Sequence, residues 1–115
     1  MWTDDTTSLT FLRDALRRFN EERDWEQFHS AKDLAMCVSV EAGELLECFL
    51  WKSEDSAPDR TKVEQEMGDV LITLVNLANK LNIDLMRAAQ RKLALNAQHY
   101  PVSKAKGRAT KHTEL

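Results

Sequence analysis

Apolar residues recur at helical spacing along most of the chain, and polar breaks divide this pattern into four segments. The first segment spans about residues 8–22 and follows a Thr/Ser cluster suited to helix capping. The second begins at Ser30 and Asp33, which are typical of a capping pair, and its pattern continues to about Trp51. We therefore expect two helices, joined by an aromatic connector at residues 23–29.

The third segment follows a polar linker at residues 52–60, in which Pro58 suits the first turn of a helix. The pattern predicts a helix from about Asp59 to Leu81 with one wide apolar face. The residues expected on that buried face are Val63, Met67, Val70, Leu74, Leu77 and Leu81.

Residues 82–85 supply a break and an N-cap, Asp84, for the fourth segment, which includes Leu85 and is ended by Tyr100 and Pro101. Four amphipathic helices with short connections predict an all-α four-helix bundle. We expect one domain over residues 1–102, followed by a basic and flexible tail over residues 103–115. That tail either stays mobile or docks on an acidic group.

Composition narrows the classes of function. The chain has 115 residues, a net charge of −3 and a pI near 5.6, so neither nucleic acid nor an anionic membrane is an expected partner. No apolar run approaches the roughly 20 residues of a membrane span, and no secretory signal is evident at the N-terminus. Cys37 and Cys48 lie too far apart on the second helix to form a disulfide. We expect both to be buried free thiols in a cytoplasmic protein.

Carboxylates interrupt the apolar stripe of the second helix. Glu41 falls in the middle of this stripe and Glu44 lies on its edge. Glu66 and Asp69 repeat the same i, i+3 spacing on the third helix. The stripe itself consists of Leu34, Cys37, Val38, Leu45 and Cys48. If the two helices pack antiparallel, four carboxylates meet at one place.

Carboxylates this close repel one another by several kcal/mol at an effective dielectric near 20, so protons or a metal ion must neutralise them. Donors that are all oxygen suit a hard cation, which favours Mg²⁺, with Mn²⁺ as a substitute, over zinc. Acidic pairs at i, i+3 on a helix usually mean only a solvated surface. A Glu in the centre of an apolar stripe is not typical of such a surface, and this favours the metal site.

Several motifs together resemble a known family. The stretches EAGE at residues 41–44 and EMGD at residues 66–69 resemble the split acidic motif of the MazG-like, all-α nucleoside triphosphate pyrophosphohydrolases. Further stretches are similar to the dCTP-pyrophosphatase branch of that family, and the resemblance covers most of the chain from about residue 8. They are RDWEQFH at 23–29, FLWK at 49–52, DVLITLVNLA at 69–78, KLALNAQHYP at 92–101 and HTEL at 112–115.

The resemblance implies a helical bundle that assembles as a homodimer or a dimer of dimers. Its activity would be the Mg²⁺-dependent hydrolysis of a nucleoside triphosphate to monophosphate and pyrophosphate. The substrate would be dCTP or a related or modified deoxynucleotide, and the purpose would be pool control or house-cleaning. The implied metal ligands, also catalytic, are Glu41, Glu44, Glu66 and Asp69, with Glu41 or Glu44 activating the attacking water.

The resemblance also implies a set of substrate contacts. Trp25 and Trp51 would flank the base. Lys92, Asn96 and Tyr100 would contact phosphate and sugar groups, and Lys92 would also offset charge on the leaving pyrophosphate. The last three residues recur at i, i+4 and i+8, so they share one face of the fourth helix.

Several alternatives stay open at this point. His29 either contacts the nucleotide or caps the second helix, and Trp51 is either a base platform or a core or interface anchor. The chain carries Leu16 and Thr73 where dCTP-selective members of the family carry His and Tyr, so the preferred base is undecided. The rival functions are a non-catalytic helical oligomerisation module and a pyrophosphohydrolase of the same fold that acts on a histidine-pathway or deoxyuridine nucleotide.

Overall fold

The structure is a computed structural model that describes residues 1–53 and 56–115. Within these ranges the chain forms helices and no strand, which confirms the predicted all-α class. Among the same residues, no helix combines the length and the apolar character that crossing a bilayer requires. The predicted linker at residues 52–60 falls partly on Glu54 and Asp55, which lie outside the described residues.

Two compact units divide the chain, unit 1 over Met1–Asn82 and unit 2 over Ile83–Leu115. The predicted domain boundary at residue 102 and the mobility of the tail stay predictions. The helices are α1 (Leu9–Glu22), α2 (Ala31–Glu47), α3 (Arg60–Leu81), α4 (Leu85–His99) and α5 (Val102–Ala105), with 3-10 turns at Glu26–Phe28 and His112–Glu114.

Side-chain caps start most of these helices. A side-chain oxygen of Ser8, Ser30 and Asp84 accepts a backbone N–H from three residues further on, at 3.1, 3.1 and 3.0 Å respectively. Each such cap typically stabilises its helix by about 1 kcal/mol, because it satisfies a donor that has no partner within the helix. The capping roles predicted for Ser30 and Asp84 are confirmed, and Ser8 is the member of the predicted Thr/Ser cluster that caps α1.

Local hydrogen bonds correct two predicted boundaries. The carboxylate of Asp59 accepts the backbone N–H groups of Thr61 and Lys62 at 3.1 and 3.4 Å. Asp59 is therefore the N-cap of α3, and the placement of Pro58 in the first turn was wrong. Helix α2 ends at Glu47 rather than near Trp51, because the next three residues form tighter i→i+3 bonds of 2.9–3.3 Å.

The buried core of unit 1 is small and centres on α3. Helix α2 packs mainly on α3, and α1 also packs on α3, over a smaller area. The predicted apolar face of α3 is partly wrong, since Met67, Leu74 and Leu81 are exposed. These three recur every seven residues along a stripe that neither α1 nor α2 covers. The buried apolar residues of the described chain are Leu16, Leu34, Cys48, Val75 and Ala78.

Only one of the two cysteines is buried. Cys48 lies in the core, as expected, whereas Cys37 is exposed and its predicted burial was wrong. Because α2 packs mainly on α3, only a narrow stripe of α2 is covered, and Cys37 lies outside it.

Unit 2 folds its C-terminal segment back onto the end of α4. The imidazole rings of His99 and His112 stack with centroids 4.2 Å apart and planes 7° from parallel. The backbone N–H of His112 donates to the hydroxyl of Tyr100 at 3.2 Å.

Candidate metal centre

Helices α2 and α3 bring the four predicted carboxylates together. One carboxylate oxygen from each residue can be chosen so that all four oxygens lie within 4.8 Å of one another. The four residues are Glu41, Glu44, Glu66 and Asp69. The three glutamates are half-buried and Asp69 is exposed. The i, i+3 spacing on each helix places two carboxylates on one face, and the packing of α2 on α3 turns these faces toward each other.

The crowding of negative charge changes the protonation of this cluster. A side-chain hydrogen bond with Glu44, followed by burial and the neighbouring negative charges, raises the pKa of Glu41 to about 7. Burial, followed by the charges of Glu44 and Asp69, raises the pKa of Glu66, and the Lys62 ammonium opposes this rise. In the absence of a cation, part of the cluster therefore holds protons near neutral pH.

Two oxygens of the cluster have no hydrogen-bond partner among the described residues. Oε2 of Glu41 and Oε2 of Glu66 are buried, and no described residue donates a hydrogen bond to either. A buried oxygen without a partner is unfavourable by about 1–3 kcal/mol, and a cation among the carboxylates would satisfy both. The donor set is made of oxygens alone, which fits a hard divalent ion.

The three predicted aromatic contacts lie in unit 1. Trp25 follows α1, and its ring packs edge-on against Phe19 with centroids 5.6 Å apart. Trp51 has positive φ and is 99% exposed, so it is not a core anchor within this chain. Ser30, rather than His29, provides the side-chain cap of α2.

The remaining predicted substrate contacts belong to unit 2. Lys92 and Asn96 lie one turn apart on α4, and Tyr100 follows its last turn. The Tyr100 hydroxyl accepts a hydrogen bond from the segment that folds back, so it keeps its own hydrogen for donation.

A second group of polar residues in unit 1 was not predicted from the sequence. Asn20, Asn76 and Asn79 line a cavity of about 190 Å³ that also includes His29. The available signal was the position of Asn76 and Asn79 inside an otherwise apolar stretch, VNLAN at residues 75–79.

The chain is similar to several known proteins. The MazG-like family model matches residues 36–115. The dCTP pyrophosphatase 1 of Rattus norvegicus is 41% identical over 116 residues, which cover 94% of this chain and 68% of the relative. The Homo sapiens protein of the same name is 37% identical over 115 residues, with the same coverage.

A solved structure gives the same result. A pyrophosphatase from Archaeoglobus fulgidus is 33% identical and superposes with a TM-score of 0.76 over 88% of this chain and 99% of its own. The family predicted from the acidic motifs is thus confirmed by sequence and by fold. This chain belongs to the MazG-like family.

Proposed function

We propose that this chain hydrolyses a deoxynucleoside triphosphate, dCTP or a related or modified nucleotide, to the monophosphate and pyrophosphate with Mg²⁺. The enzyme class itself, a nucleoside triphosphate pyrophosphohydrolase, is confirmed by the family match and by the dCTP pyrophosphatase relatives. The more specific proposal rests on one observation, the convergence of four carboxylates that leaves two buried oxygens unpartnered. A non-catalytic oligomerisation module has no use for such a cluster, because its charges repel.

The four carboxylates of the cluster would hold the ion, with Mn²⁺ as a substitute for Mg²⁺. When bound, a divalent cation supplies positive charge that offsets the triphosphate and makes water more acidic. The protein contributes a fixed arrangement of oxygens, since two packed helices hold the side chains in place.

The reaction requires a water oxygen to bond to the α-phosphorus while the bond from that phosphorus to the bridging oxygen breaks. Glu41 or Glu44 orients this water and takes its proton, since a carboxylate within hydrogen-bonding reach is a suitable general base. Lys92 offsets the negative charge that develops on the leaving pyrophosphate.

Residues outside the acidic cluster bind the base, the sugar and the phosphates of the substrate. Trp25 and Trp51 stack on the base, a contact worth about 1–3 kcal/mol per base in single-strand binding. Because the 17 residues of α2 separate the two indoles of one chain by about 25 Å, Trp51 reaches the base from the second copy of the proposed dimer, and its exposed face is available for that contact. Asn96 and Tyr100 hydrogen-bond to sugar and phosphate oxygens, and His29 also contacts the nucleotide.

Assembly as a homodimer or a dimer of dimers is part of the proposal. Its support is the number of large apolar side chains that the single chain leaves in solvent. Val40 and Leu46 on α2 and Met67 on α3 are 58%, 60% and 57% exposed, and burying such residues is the usual driving force for association. The cytoplasmic location and the absence of nucleic-acid and membrane partners stay predictions.

A panel of canonical and modified deoxynucleoside and nucleoside triphosphates tests the proposal. Each is assayed with Mg²⁺ for pyrophosphate and for orthophosphate, and we expect pyrophosphate from dCTP or a close analogue. Orthophosphate as the first product would contradict the proposed bond cleavage. A preference for a deoxyuridine or histidine-pathway nucleotide would support the rival member of the same fold.

A further inference from the structure

The C-terminal segment of unit 2 reverses direction after α5 and returns to the last turn of α4. At the reversal, the backbone N–H of Arg108 donates to the carbonyl of Ala105 at 3.0 Å. Gly107 lies between them with a φ of +75°, a left-handed conformation that a residue with a side chain rarely adopts. This turn brings His112 back beside Tyr100.

His112 makes three contacts with the end of α4. Its backbone N–H donates to the hydroxyl of Tyr100 at 3.2 Å. Its imidazole lies edge-on to the ring of Tyr100, with centroids 5.6 Å apart and planes at 80°. The same imidazole stacks on the ring of His99, with centroids 4.2 Å apart. His112 therefore contacts both the hydroxyl and the ring of Tyr100.

The direction of the hydrogen bond at Tyr100 follows from its donor. A backbone N–H can only donate, so the Tyr100 oxygen must be the acceptor. The hydroxyl hydrogen stays available, and no described residue accepts it. A hydroxyl that accepts a hydrogen bond also becomes a stronger donor, because successive hydrogen bonds polarise one another. Tyr100 thus presents a strengthened O–H donor whose oxygen is fixed in place.

The charge of unit 2 indicates which acceptor this donor meets. Residues 83–115 contain seven Lys or Arg and two Asp or Glu, whereas the whole chain has a net charge of −3. Within unit 2, all of which the structure describes, none of the seven forms an ion pair. Lys92 precedes Tyr100 by eight residues, on the same face of α4. A phosphate oxygen suits this surface, since ammonium and hydroxyl groups both donate to it.

The negative groups of unit 2 do not oppose this assignment. Asp84 lies at the opposite end of α4, where it accepts the backbone N–H of Arg87 at 3.0 Å. Glu114 is the one acidic side chain of the returning segment. The carbonyl end of α4 adds a partial negative charge, which nearby cations offset. The segment itself carries four cations, namely Lys104, Lys106, Arg108 and Lys111.

We propose that His112 is a positioning residue for the reaction and that it holds Tyr100 so that the hydroxyl donates to a phosphate oxygen of the nucleotide. The inference rests on the proposed function, in which Tyr100 contacts the substrate. The C-terminal segment is then part of the substrate site, instead of the mobile tail expected from its composition. Because Tyr100 bonds to both, the segment and the nucleotide stabilise each other's binding.

Binding of a nonhydrolysable nucleotide tests the inference without turnover. Isothermal titration with Mg²⁺ and the α,β-imido analogue of dCTP gives the Kd of each variant. Tyr100→Phe should raise the Kd about tenfold, as expected for the loss of a hydrogen bond to a charged group. His112→Pro removes the N–H donor at the first position of its 3-10 turn, where proline is tolerated, and should have a similar effect. His112→Ala keeps the N–H but loses both ring contacts, and it should raise the Kd about threefold.

His112→Phe is the matched control, since it keeps the backbone N–H and a ring for both aromatic contacts. It should bind the analogue as tightly as the wild type. Ser103→Ala, at an exposed position of α5, should also leave the Kd unchanged. A double-mutant cycle separates positioning from a general effect on the fold. In a Tyr100→Phe background, His112→Pro should cause no further loss of binding.

Hydrogen exchange at residue 112 supplies a measurement that needs no folded variant. In the wild type, the analogue should slow exchange of the His112 amide, because a bound phosphate strengthens the hydrogen bond that this amide makes. Three results would overturn the inference. They are an unchanged Kd in both His112→Ala and His112→Pro, an equal loss of binding in the Tyr100→Phe background, and an exchange rate that the bound analogue does not alter.

The outcomes for the inference and for the proposed function can be told apart. Analogue binding that depends on His112, without pyrophosphate release from any triphosphate, would contradict the proposed function and leave the positioning role standing. Pyrophosphate release with a Kd that is indifferent to substitution of His112 would do the reverse.

Discussion

Glu41 and Glu44 lie one turn apart on α2 and share a side-chain hydrogen bond, which is the largest cause of the raised pKa of Glu41. Two carboxylates can make this contact only when one of them carries a proton. The proton and a divalent cation are therefore alternative ways to neutralise the same group of oxygens. This competition connects the stability of the protein to both pH and metal.

The metal-free protein should lose stability as the pH rises. Folding raises the pKa of Glu41 from 4.5 to about 7, so the folded state holds this proton more tightly than the unfolded state. The contribution is complete below about pH 4.5 and is lost as the pH rises through about 7. Thermal unfolding in a chelator should show this fall, and Glu41→Gln should flatten it. An unchanged slope in Glu41→Gln would show that another group is responsible.

Magnesium should stabilise the protein more at about pH 8 than at about pH 5.5, because fewer protons then compete for the carboxylates. At a free concentration of 100 times its Kd, a ligand that binds only the folded state adds about 2.7 kcal/mol. The measurement is Tm against Mg²⁺ concentration. Glu64→Gln removes a carboxylate of α3 that pairs with Arg60 outside the cluster, and it should show the same gain as the wild type. A gain that survives Glu66→Gln in full would argue against binding at this cluster.

Asp69→Asn should abolish pyrophosphate release without loss of the fold. The substitution removes a proposed metal ligand that is exposed and replaces it with a side chain of nearly the same size. In the metal-free protein it also removes one repelling charge, so the Tm should stay the same or rise. Circular dichroism and pyrophosphate assays on the same preparation check both parts. Retained activity would exclude Asp69 from the catalytic machinery.

Trp51→Ala should weaken substrate binding more than it slows turnover. The side chain is 99% exposed in the single chain, so its loss should not damage the core. Loss of stacking on the base should raise KM by about tenfold. Trp2→Ala removes another exposed indole and should leave KM unchanged. If both variants behave like the wild type, Trp51 has no role at the base.

Tyr100→Phe should loosen the end of the chain. Its hydroxyl accepts the backbone N–H of His112 at 3.2 Å, and the substitution removes that acceptor while keeping the ring that contacts His112 edge-on. Hydrogen exchange at residue 112 should therefore become faster. His99→Ala removes the stacking partner and should have a similar effect. Unchanged exchange in both variants would mean that other contacts hold the segment.

The helices could largely be located from sequence, because their starting signals are local. Ser8, Ser30 and Asp84 bond to backbone groups three residues away, so a short window of residues contains the whole interaction. The end of α2 was placed too late, since the apolar pattern continues past Glu47 while the hydrogen bonds tighten. Periodicity describes side chains and does not report that change in the backbone.

The sequence by itself determined the helical class, the family and the two pairs of carboxylates, because capping and i, i+3 spacing are properties of neighbouring residues. Only the tertiary structure decided which sides of each helix are covered. The packing of the helices leaves Cys37 and Met67 exposed to solvent, and it places Asn20 and Asn76 in the lining of a cavity. The physical reason is that burial depends on the helix that lies opposite. The position of a residue in its own helix fixes only the direction of its side chain around the helix axis. Whether the two acidic pairs meet therefore also depends on how α2 packs against α3.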